Sequence, residues 1–396
     1  MRPFGSVVMR RAFLLAVVVA AGALGLMELS AQRLGPGRIR PRPAEGRQPE
    51  FPPPNIREYK PRSTLVVPEH PVPRAKFPVV DIHGHPPPLT GPDVVNQVVE
   101  SMDPLNLRVM VNANGTSGES LRRGLDAIRA SRHPDRMVMF TSLNLRDVSP
   151  GVGQRIAQEL EADIKAGALG VGEISKYFGL GVRKADGTRL KLDDPELGPV
   201  WETAARLNIP VFIHVADPSE FFQPIDYNNE RWLELALFPD RRFQDRERFP
   251  SFEELMGERD RLLAAHRRTT FILAHLGWHA NDLGRLGAMF DRMPNVFAEV
   301  GAVLYDIGRQ PHTAHEFFTK YQDRLLFGKD SYQPDEYPYY WRVFETHDEY
   351  FDYYRDYHAF WKLYGIDLSD QVLRKLYYGN AMKLIPRMPR EGFPAN

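Results

Sequence analysis

The chain has 396 residues, with 51 basic (Lys and Arg) and 51 acidic side chains. This balance argues against a nucleic-acid-binding protein, which usually carries a basic excess, and the content of 43% hydrophobic and 26% charged residues is ordinary for a globular enzyme. Because the sequence contains no cysteine, disulfides and thiolate metal sites are excluded, and any metal must bind His, Asp or Glu.

The N-terminus has the layout of an export signal. Arg10 and Arg11 precede an apolar run at 12–27, and Ala31 ends a stretch of the kind that signal peptidases cut. The run is shorter than the ~20 residues that cross a bilayer, so 1–31 is interpreted as the cleaved signal peptide of a periplasmic or secreted protein. An uncleaved anchor is the alternative, and the paired arginines leave the Sec and twin-arginine routes open.

Residues 32–76 are rich in proline and arginine. Proline lacks an amide donor and disfavours helices and central strands, which predicts an extended linker, in part wrapped on the domain that follows. A proline-rich recognition segment is the alternative. The folded domain is predicted at 77–386, and 387–396 is interpreted as a tail.

Short apolar runs alternate with amphipathic helical stretches from residue 77 onward, which predicts an α/β fold. The predicted strands are 77–82, 107–112, 136–143, 168–174, 209–214, 270–275, 295–300 and 324–329. The predicted helices are 91–102, 117–131, 151–166, 195–207, 251–267, 279–293, 312–320 and 368–384. Eight strands, each followed by a helix, predict a (β/α)8 TIM barrel. The runner-up, a doubly wound sheet, would need a glycine-rich phosphate loop, and none is present.

Two connections are unusually long, 215–250 after the fifth strand and 331–367 after the eighth. Loops of this length are usually functional or disordered, and the second is too rich in tyrosine and tryptophan for a disordered segment. Both leave the carboxyl ends of strands, the face on which barrel enzymes build their sites. We expect them to form the pocket wall; the alternative is a cap that buries its own aromatic side chains.

A histidine pair at the end of the first strand is the strongest chemical pattern, in Asp81-Ile82-His83-Gly84-His85. Residues two apart on a strand share a face, so both imidazoles are expected at the barrel mouth, where they suit zinc or a related ion. Asp81 lies one step deeper and is better placed to orient a ligand than to be one. A His-x-His pair alone is a weak indication, since exposed histidines are common.

Three further polar residues end later strands: His214 the fifth, His275 the sixth and Asp330 the eighth. The strand ends of a barrel converge on one rim, so these residues join the histidine pair in a predicted nitrogen and oxygen metal site. Any one histidine alone is more often a hydrogen-bonded core residue. Glu173, on the inner face of the fourth strand, is predicted either to bridge a second metal or to hydrogen-bond a ligand or the substrate.

These residues resemble the amidohydrolase superfamily, and specifically its amidohydrolase-related branch (family 2) of TIM-barrel metal-dependent hydrolases. The resemblance covers about 77–385 and rests on five segments: Asp81-Ile82-His83-Gly84-His85, Ile213-His214-Val215-Ala216-Asp217, Ala274-His275-Leu276-Gly277, Phe327-Gly328-Lys329-Asp330-Ser331 and Tyr378-Gly379-Asn380-Ala381.

The resemblance implies that His83, His85, His214 and Asp330 bind metal, that Asp330 deprotonates the attacking water, and that His275 polarises the scissile group. The expected cofactor is one or two divalent ions, zinc first, with manganese or cobalt as alternatives. The branch contains hydrolases, decarboxylases and hydratases, so the resemblance leaves the reaction open.

The preferred function is an exported hydrolase that uses a metal-activated water on an amide, ester or lactone of a small molecule. The first rival is a metal-dependent decarboxylase of an aromatic acid, for which Arg231 is a candidate carboxylate clamp, although an exposed loop arginine is the ordinary interpretation. A non-catalytic binding barrel ranks last because the rim ligands are present.

Lys329 departs from the small hydroxyl residue expected before Asp330, which bears on substrate contacts. Glu173 also resembles the bridging glutamate of TatD-type nucleases, but the charge balance argues against a nucleic-acid partner. Membrane contact is expected only through an uncleaved signal, and homo-oligomerisation is left open.

Overall fold

The computed structural model describes residues 50–394, so the predicted signal peptide and residues 32–49 of the predicted linker lie outside the described residues. The chain separates into two compact units, Met1–Leu65 and Val66–Asn396. In the first, the described residues include a turn in which the Glu58 amide donates to the Asn55 carbonyl at 2.9 Å. Between residues 50 and 394, no helix is long and apolar enough to cross a membrane.

The second unit is built on parallel strands. In chain order they are β1 (Val79–His85), β2 (Leu107–Asn112), β3 (Met137–Met139), β4 (Val171–Ile174), β5 (Val211–Ile213), β6 (Phe271–Leu273), β7 (Val296–Glu299), β8 (Leu325–Leu326) and β9 (Asp330–Ser331). They pair in the orders β3-β2-β1-β9 and β4-β5-β6-β7-β8, and every pair is parallel.

The two sets of strands meet at both edges and close into a barrel. On one side, a parallel bridge joins Thr141, just after β3, to Val171 in β4. On the other, the Ile82 amide of β1 donates to the Phe327 carbonyl at 3.0 Å, and β1 pairs with β9. Because β8 and β9 are two parts of one eighth strand, the predicted (β/α)8 fold is confirmed.

Helices alternate with the strands and cover the barrel. They are α1 (Pro92–Met102), α2 (Gly118–Ala130), α3 (Val152–Ala166), α4 (Tyr177–Gly181), α5 (Gly198–Arg206), α6 (Trp232–Leu237), α7 (Phe252–Ala265), α8 (Leu283–Arg292), α9 (Leu304–Gly308), α10 (Pro311–Lys320), α11 (Tyr337–Glu345), α12 (Asp370–Arg374) and α13 (Asn380–Leu384). A π-helical turn, Lys375–Gly379, joins α12 to α13, so the predicted helix at 368–384 is one helical segment in three pieces.

The helices and strands form because their apolar residues recur with the matching period. In α8, Leu283, Leu286, Met289 and Phe290 are buried, a spacing of three and four residues that gives one apolar helix face. In β5, by contrast, all three consecutive residues are buried, as expected for a strand whose other face is covered by helices.

Strand ends differ from the prediction where the chain meets the rim. The first strand, predicted at 77–82, extends to His85 because Gly84 and His85 pair with β9. The third, predicted at 136–143, is regular only at Met137–Met139, since the chain then bends and Thr141 makes a single bridge. The first difference matters for the site, because it places both histidines of the pair on the strand itself.

Both long connections contain short helices. The connection at 215–250 includes α6, and that at 331–367 includes α11. In α11 the side chains of Tyr337, Tyr340 and Trp341 are fully buried. Two of them also contact the rim: the Tyr337 hydroxyl donates to Asp81, and the Tyr340 hydroxyl accepts from the amide of Ala302. The aromatic residues of α11 therefore pack among themselves and also support the mouth of the barrel.

Residues 66–76, the end of the predicted linker, lie against the barrel unit to which they belong. The Ala75 amide donates to the Leu105 carbonyl at 3.1 Å. His70 makes two contacts with the buried Asp348, through its amide at 2.7 Å and its Nδ1 atom at 2.6 Å. These contacts explain why the compact unit begins at Val66, before the residue 77 predicted for the domain.

Candidate metal centre

β1 places two histidines at the mouth of the barrel. His83 and His85 are two residues apart on the strand, so they project to the same side. His83 is fully buried, and His85 is partly exposed. Gly84 between them permits close packing, because a Cβ there would collide with the Met110 side chain on β2.

Both imidazoles are oriented through Nδ1. The Nδ1 atom of His83 lies 3.0 Å from Oε1 of Glu299, and that of His85 lies 3.0 Å from Oδ1 of Asn114. Since both oxygens accept, each Nδ1 carries a proton and each Nε2 keeps a lone pair when the ring is neutral. Metal-binding histidines are commonly held in this way.

Glu173, on β4, lies among three imidazoles. Its Oε2 atom is 3.3 Å from Nε2 of His85 and 3.5 Å from Nε2 of His83. Its Oε1 atom is 2.5 Å from Nδ1 of His214. Burial raises the pKa of Glu173, but attraction to His83 and His214 outweighs burial and holds the pKa well below its ordinary value. The carboxylate is therefore ionised at neutral pH.

Asp330 borders the same histidines from the eighth strand. Its Oδ1 atom lies 3.7 Å from Nε2 of His85 and 3.9 Å from Nε2 of His83. Burial raises the pKa of this carboxyl, but attraction to His83 and His275 holds it below its ordinary value. At 34% the side chain of Asp330 is more exposed than that of Glu173 at 12%, so Asp330 lies on the more open side of the site.

His275 lies in a left-handed turn that follows β6. The four residues at 275–278 have φ angles between 51° and 60°. The His275 amide donates to Oε1 of Glu299 at 2.6 Å, and its Nδ1 atom donates to the Gly301 carbonyl at 2.8 Å. Burial, then repulsion from His214, lowers the pKa of His275 to about 4. The ring is therefore neutral, and its Nε2 atom carries no proton.

Sequence reasoning missed Glu299, a fully buried carboxylate at the end of β7. It accepts hydrogen bonds from the His83 ring and from the amides of His275 and Gly301. The available indication in the sequence was that a charged residue directly follows the apolar run Val296-Phe297-Ala298. Because its oxygens already accept from these donors, we assign Glu299 to orienting His83 and His275 and not to binding the metal.

The remaining donors form two sets that share one carboxylate. His83, His85 and Glu173 bring their donor atoms within 4.8 Å of one another, and so do Glu173, His214 and His275. The Nε2 atoms of His83 and His214 are buried without a hydrogen-bond partner. Two orphaned imidazole nitrogens beside ionised carboxylates are an arrangement that a divalent metal satisfies. The site therefore fits a divalent metal ion.

Asp81 lies one step deeper on β1, as predicted from its parity. Its Oδ1 atom accepts from the amides of His83 at 2.9 Å and Lys329 at 3.2 Å, and its Oδ2 atom accepts from the Tyr337 hydroxyl at 2.7 Å. The carboxylate thus ties β1 to the backbone just before Asp330. It contacts the His83 backbone and makes no hydrogen bond to an imidazole.

Arg231 is not among the metal donors. Its side chain is 4% exposed, so it is a buried arginine and not an exposed loop residue. Its Nε atom donates to Oε2 of Glu234 at 2.9 Å, and its guanidinium lies 4.2 Å from the centre of the Tyr305 ring. Two nitrogens of the predicted carboxylate clamp, Nε and Nη2, are therefore engaged by Glu234 of its own loop, whereas Nη1 is buried without a hydrogen-bond partner.

Two lysines beside the site are also paired. Lys176 donates to Oδ2 of Asp217 at 2.6 Å, and Oδ1 of Asp217 lies 3.8 Å from Nε2 of His214. Lys329, whose position departs from the resemblance, is buried and pairs with Glu336 in the aromatic loop. The pairing of Lys176 with Asp217 could not be read from the sequence, because it joins the loops that follow two different strands.

The amidohydrolase family model matches residues 80–387 of the chain. None of the curated proteins searched matches it. Among solved structures, an uncharacterised TIM-barrel protein from Bordetella bronchiseptica is 15% identical with a TM-score of 0.51, covering 78% of this chain and 98% of that one.

Two further structures are similar at lower TM-scores. A dihydroxybenzoic acid decarboxylase from Polaromonas sp. JS666, solved with manganese, is 16% identical with a TM-score of 0.49, covering 78% of this chain and 96% of that one. A 4-oxalomesaconate hydratase from Rhodopseudomonas palustris is 15% identical with a TM-score of 0.47 and the same coverage of both chains. The family match spans nearly the whole barrel and includes every donor described above, and the chain belongs to the amidohydrolase family.

Proposed function

We propose that this protein is a hydrolase that uses two divalent ions to cleave an amide, ester or lactone bond of a small molecule. The observation that carries the proposal is the pair of donor sets that share Glu173, with Asp330 beside the first set on the open side. Zinc is the first candidate for both ions because the donors are imidazoles and carboxylates.

In this proposal His83, His85 and Asp330 would hold one ion, His214 and His275 would hold the other, and Glu173 would contribute to both. When bound, a divalent cation supplies Lewis acidity and lowers the pKa of a bound water toward ~7. The protein's own contribution is orientation: Glu299, Asn114 and the Gly301 carbonyl fix three imidazoles before any ion arrives.

We assign His275 to metal binding, in place of the polarising role expected from the resemblance. Its Nδ1 proton is directed at the Gly301 carbonyl, and its low pKa keeps the ring neutral. A neutral ring with its only proton on Nδ1 cannot donate from Nε2 to a developing oxyanion. It can offer the Nε2 lone pair to a cation.

Asp330 is the proposed base. It is ionised at neutral pH, it is the more exposed of the two carboxylates that face the histidine pair, and it makes no short hydrogen bond to an imidazole. It can therefore accept a proton from the attacking water and later return it to the leaving group, whereas Glu173 is held by three rings.

Decarboxylation is the rival reaction, and it needs a group that binds the substrate carboxylate. Arg231 was the candidate: its Nε and Nη2 atoms are already paired with Glu234, which weakens that role, and only its Nη1 atom has no hydrogen-bond partner. A screen of lactones, esters, amides and aromatic acids separates the two reactions. Hydrolysis of a neutral substrate without release of carbon dioxide supports the proposal. Carbon dioxide released from an aromatic acid, with no hydrolysis in the same screen, contradicts it.

We also propose that the enzyme acts outside the cytoplasm, in the periplasm or after secretion. The support is the arginine-led apolar run that ends before Ala31.

A further inference from the structure

The turn that carries His275 has a backbone conformation that needs outside support. All four residues at 275–278 lie in the left-handed region, and only Gly277 is a glycine. Residues with a Cβ atom occupy this region at an energetic cost and stay there only when neighbouring groups hold them. The direction of the His275 ring therefore depends on whatever holds this turn.

The leading end of the turn is held by the seventh strand. The His275 amide donates to Glu299, and its ring donates to the Gly301 carbonyl. These two contacts fix where the turn begins and restrict the ring, but they do not reach the far end. At the far end the Trp278 indole donates to the Ala216 carbonyl at 3.0 Å.

Arg259, on α7, holds the far end as well. It is fully buried. Its Nη1 atom donates to the Gly277 carbonyl at 2.8 Å, and its Nη2 atom lies 3.1 Å from Nε2 of His279. The other edge of the guanidinium is fixed by its neighbour Asp260, at 3.0 Å from Nε and 2.8 Å from Nη2. One side chain from a helix thus binds both the turn and the residue that follows it.

The hydrogen bond between Arg259 and His279 has only one possible direction. An arginine can only donate, so Nε2 of His279 must accept, and His279 is a neutral ring with its proton on Nδ1. The approach is also close: a Cβ on Gly277 would lie 3.0 Å from Nη1 of Arg259. The glycine therefore serves both the backbone conformation and the contact with the guanidinium.

We propose that Arg259 is a positioning residue that sets the direction of His275 and thereby the affinity of the second ion. Its hydrogen bonds go to Gly277, His279 and Asp260, and none goes to a metal-donor atom. The inference rests on the proposed function, because it requires that His214, His275 and Glu173 hold an ion. Loss of Arg259 leaves the Gly277 carbonyl buried without its donor, and the turn relaxes with His275 in it.

The test compares Arg259→Met with Arg136→Met, each titrated with cobalt(II) and followed by absorption and calorimetry. Arg136 is a matched control: it is buried, its Nε atom donates to the Arg108 carbonyl and its Nη2 atom to Leu107 and Asp103, and it lies where β2 and β3 begin, at the opposite end of the barrel. We expect Arg259→Met to bind the first ion within about threefold of the wild type and the second about 10- to 100-fold more weakly. Arg136→Met loses stability but binds both ions with wild-type affinity.

Two conservative variants test the same inference if Arg259→Met does not fold. Arg259→Lys keeps a buried cation but cannot reach both partners, so we expect the second ion to be weakened. His279→Gln keeps an acceptor for Arg259, so we expect both ions to bind normally. Wild-type affinity for both ions in Arg259→Lys, or equal weakening of both ions, overturns the inference while leaving the proposed function intact. A wild-type protein that binds no cobalt overturns both.

Discussion

The two carboxylates nearest the Nε2 atoms of the histidine pair have different surroundings, and this separates their roles. Glu173 has three imidazole nitrogens within 3.5 Å and is 12% exposed. Asp330 lies 3.7 Å or more from the same two rings of the pair and is 34% exposed. A carboxylate surrounded by imidazole nitrogens is suited to be a ligand shared by two ions. A more exposed carboxylate can exchange a proton with water.

The first prediction concerns Asp330→Asn. An amide keeps the shape of the side chain and retains a carbonyl oxygen for the metal, but it cannot accept a proton at neutral pH. We expect turnover to fall by 10²–10⁴-fold, about 3–5 kcal/mol of transition-state stabilisation, with the fold and much of the metal retained. His83→Ala should differ, since it removes a ligand and lowers metal content first.

The measurements are the metal content and the rate of hydrolysis for each variant. Asp335→Asn, an exposed aspartate on the same loop, is the control and should behave as the wild type. Near-normal hydrolysis by Asp330→Asn would show that Asp330 is not the base.

Among individual residues, those at the ends of the strands could be predicted from the sequence. His83, His214, His275 and Asp330 each follow an apolar run, so their convergence could be predicted. Glu299 was missed because a glutamate at the end of a strand has no spacing pattern that distinguishes it. The tautomer of His275 was also beyond prediction, since it depends on a carbonyl that a different strand brings near.

The connection at 215–250 is held by a buried ion cluster around Glu234. This carboxylate accepts from Arg231 in its own helix region and from Arg241 after α6. Burial raises the pKa of Glu234, but the nearby His358 ring, whose Nε2 atom lies 3.4 Å from Oε1, and attraction to Arg231 lower it to about 2. The cluster therefore joins the two long loops, because His358 belongs to the connection at 331–367.

The second prediction is that Glu234→Gln destabilises the protein by about 3–5 kcal/mol at pH 7, because it leaves buried guanidinium charge uncompensated. Urea unfolding of the wild type and the variant measures this. The matched control is Glu253→Gln, which breaks an exposed pair with Arg285 and should cost at most about 1 kcal/mol. Equal effects for both variants would argue against the buried cluster.

The same cluster predicts a pH dependence. The folded-state pKa of Glu234 lies below its ordinary value of 4.5, at about 2. Its stabilisation is therefore complete above pH ~4.5 and is lost as the pH falls through ~2. The difference between wild type and Glu234→Gln should shrink over this window; a difference that stays constant down to pH 2 would contradict the assigned pKa.

Among the elements, long periodic helices and apolar strands were predicted to within a few residues. The short helices α6 and α11 were not, because α6 has only six residues and because proline and aromatic residues obscure the helical period in α11. The left-handed turn at 275–278 was also missed, since three of its four residues have no preference for that region and Arg259 comes from another helix.

For the molecule as a whole, the count of alternating elements was sufficient to predict the barrel. The position of the site followed from that fold, because strand ends meet at one rim. The form of the two long loops could not be predicted in the same way, because it depends on contacts between distant segments, such as that of Nε2 of His358 with Oε1 of Glu234 at 3.4 Å.

The third prediction is export. The arginine-led apolar run is followed by a cleavage motif ending at Ala31, so N-terminal sequencing of the protein isolated from its native host should begin at Gln32. A double variant in which Arg10 and Arg11 are both replaced by lysine distinguishes the routes, since only twin-arginine export should fail. An intact Met1 on a cytoplasmic protein would refute the proposal.

Metal analysis of the purified protein tests the central claim most directly. Elemental analysis of the wild type beside Glu173→Gln should give about two divalent ions per chain for the first and at least one fewer for the second, since Glu173 is the carboxylate that both donor sets share. Hydrolytic activity removed by a chelator should return with zinc, manganese or cobalt. A protein that carries no divalent ion, and in which none of these metals restores activity, would contradict the account.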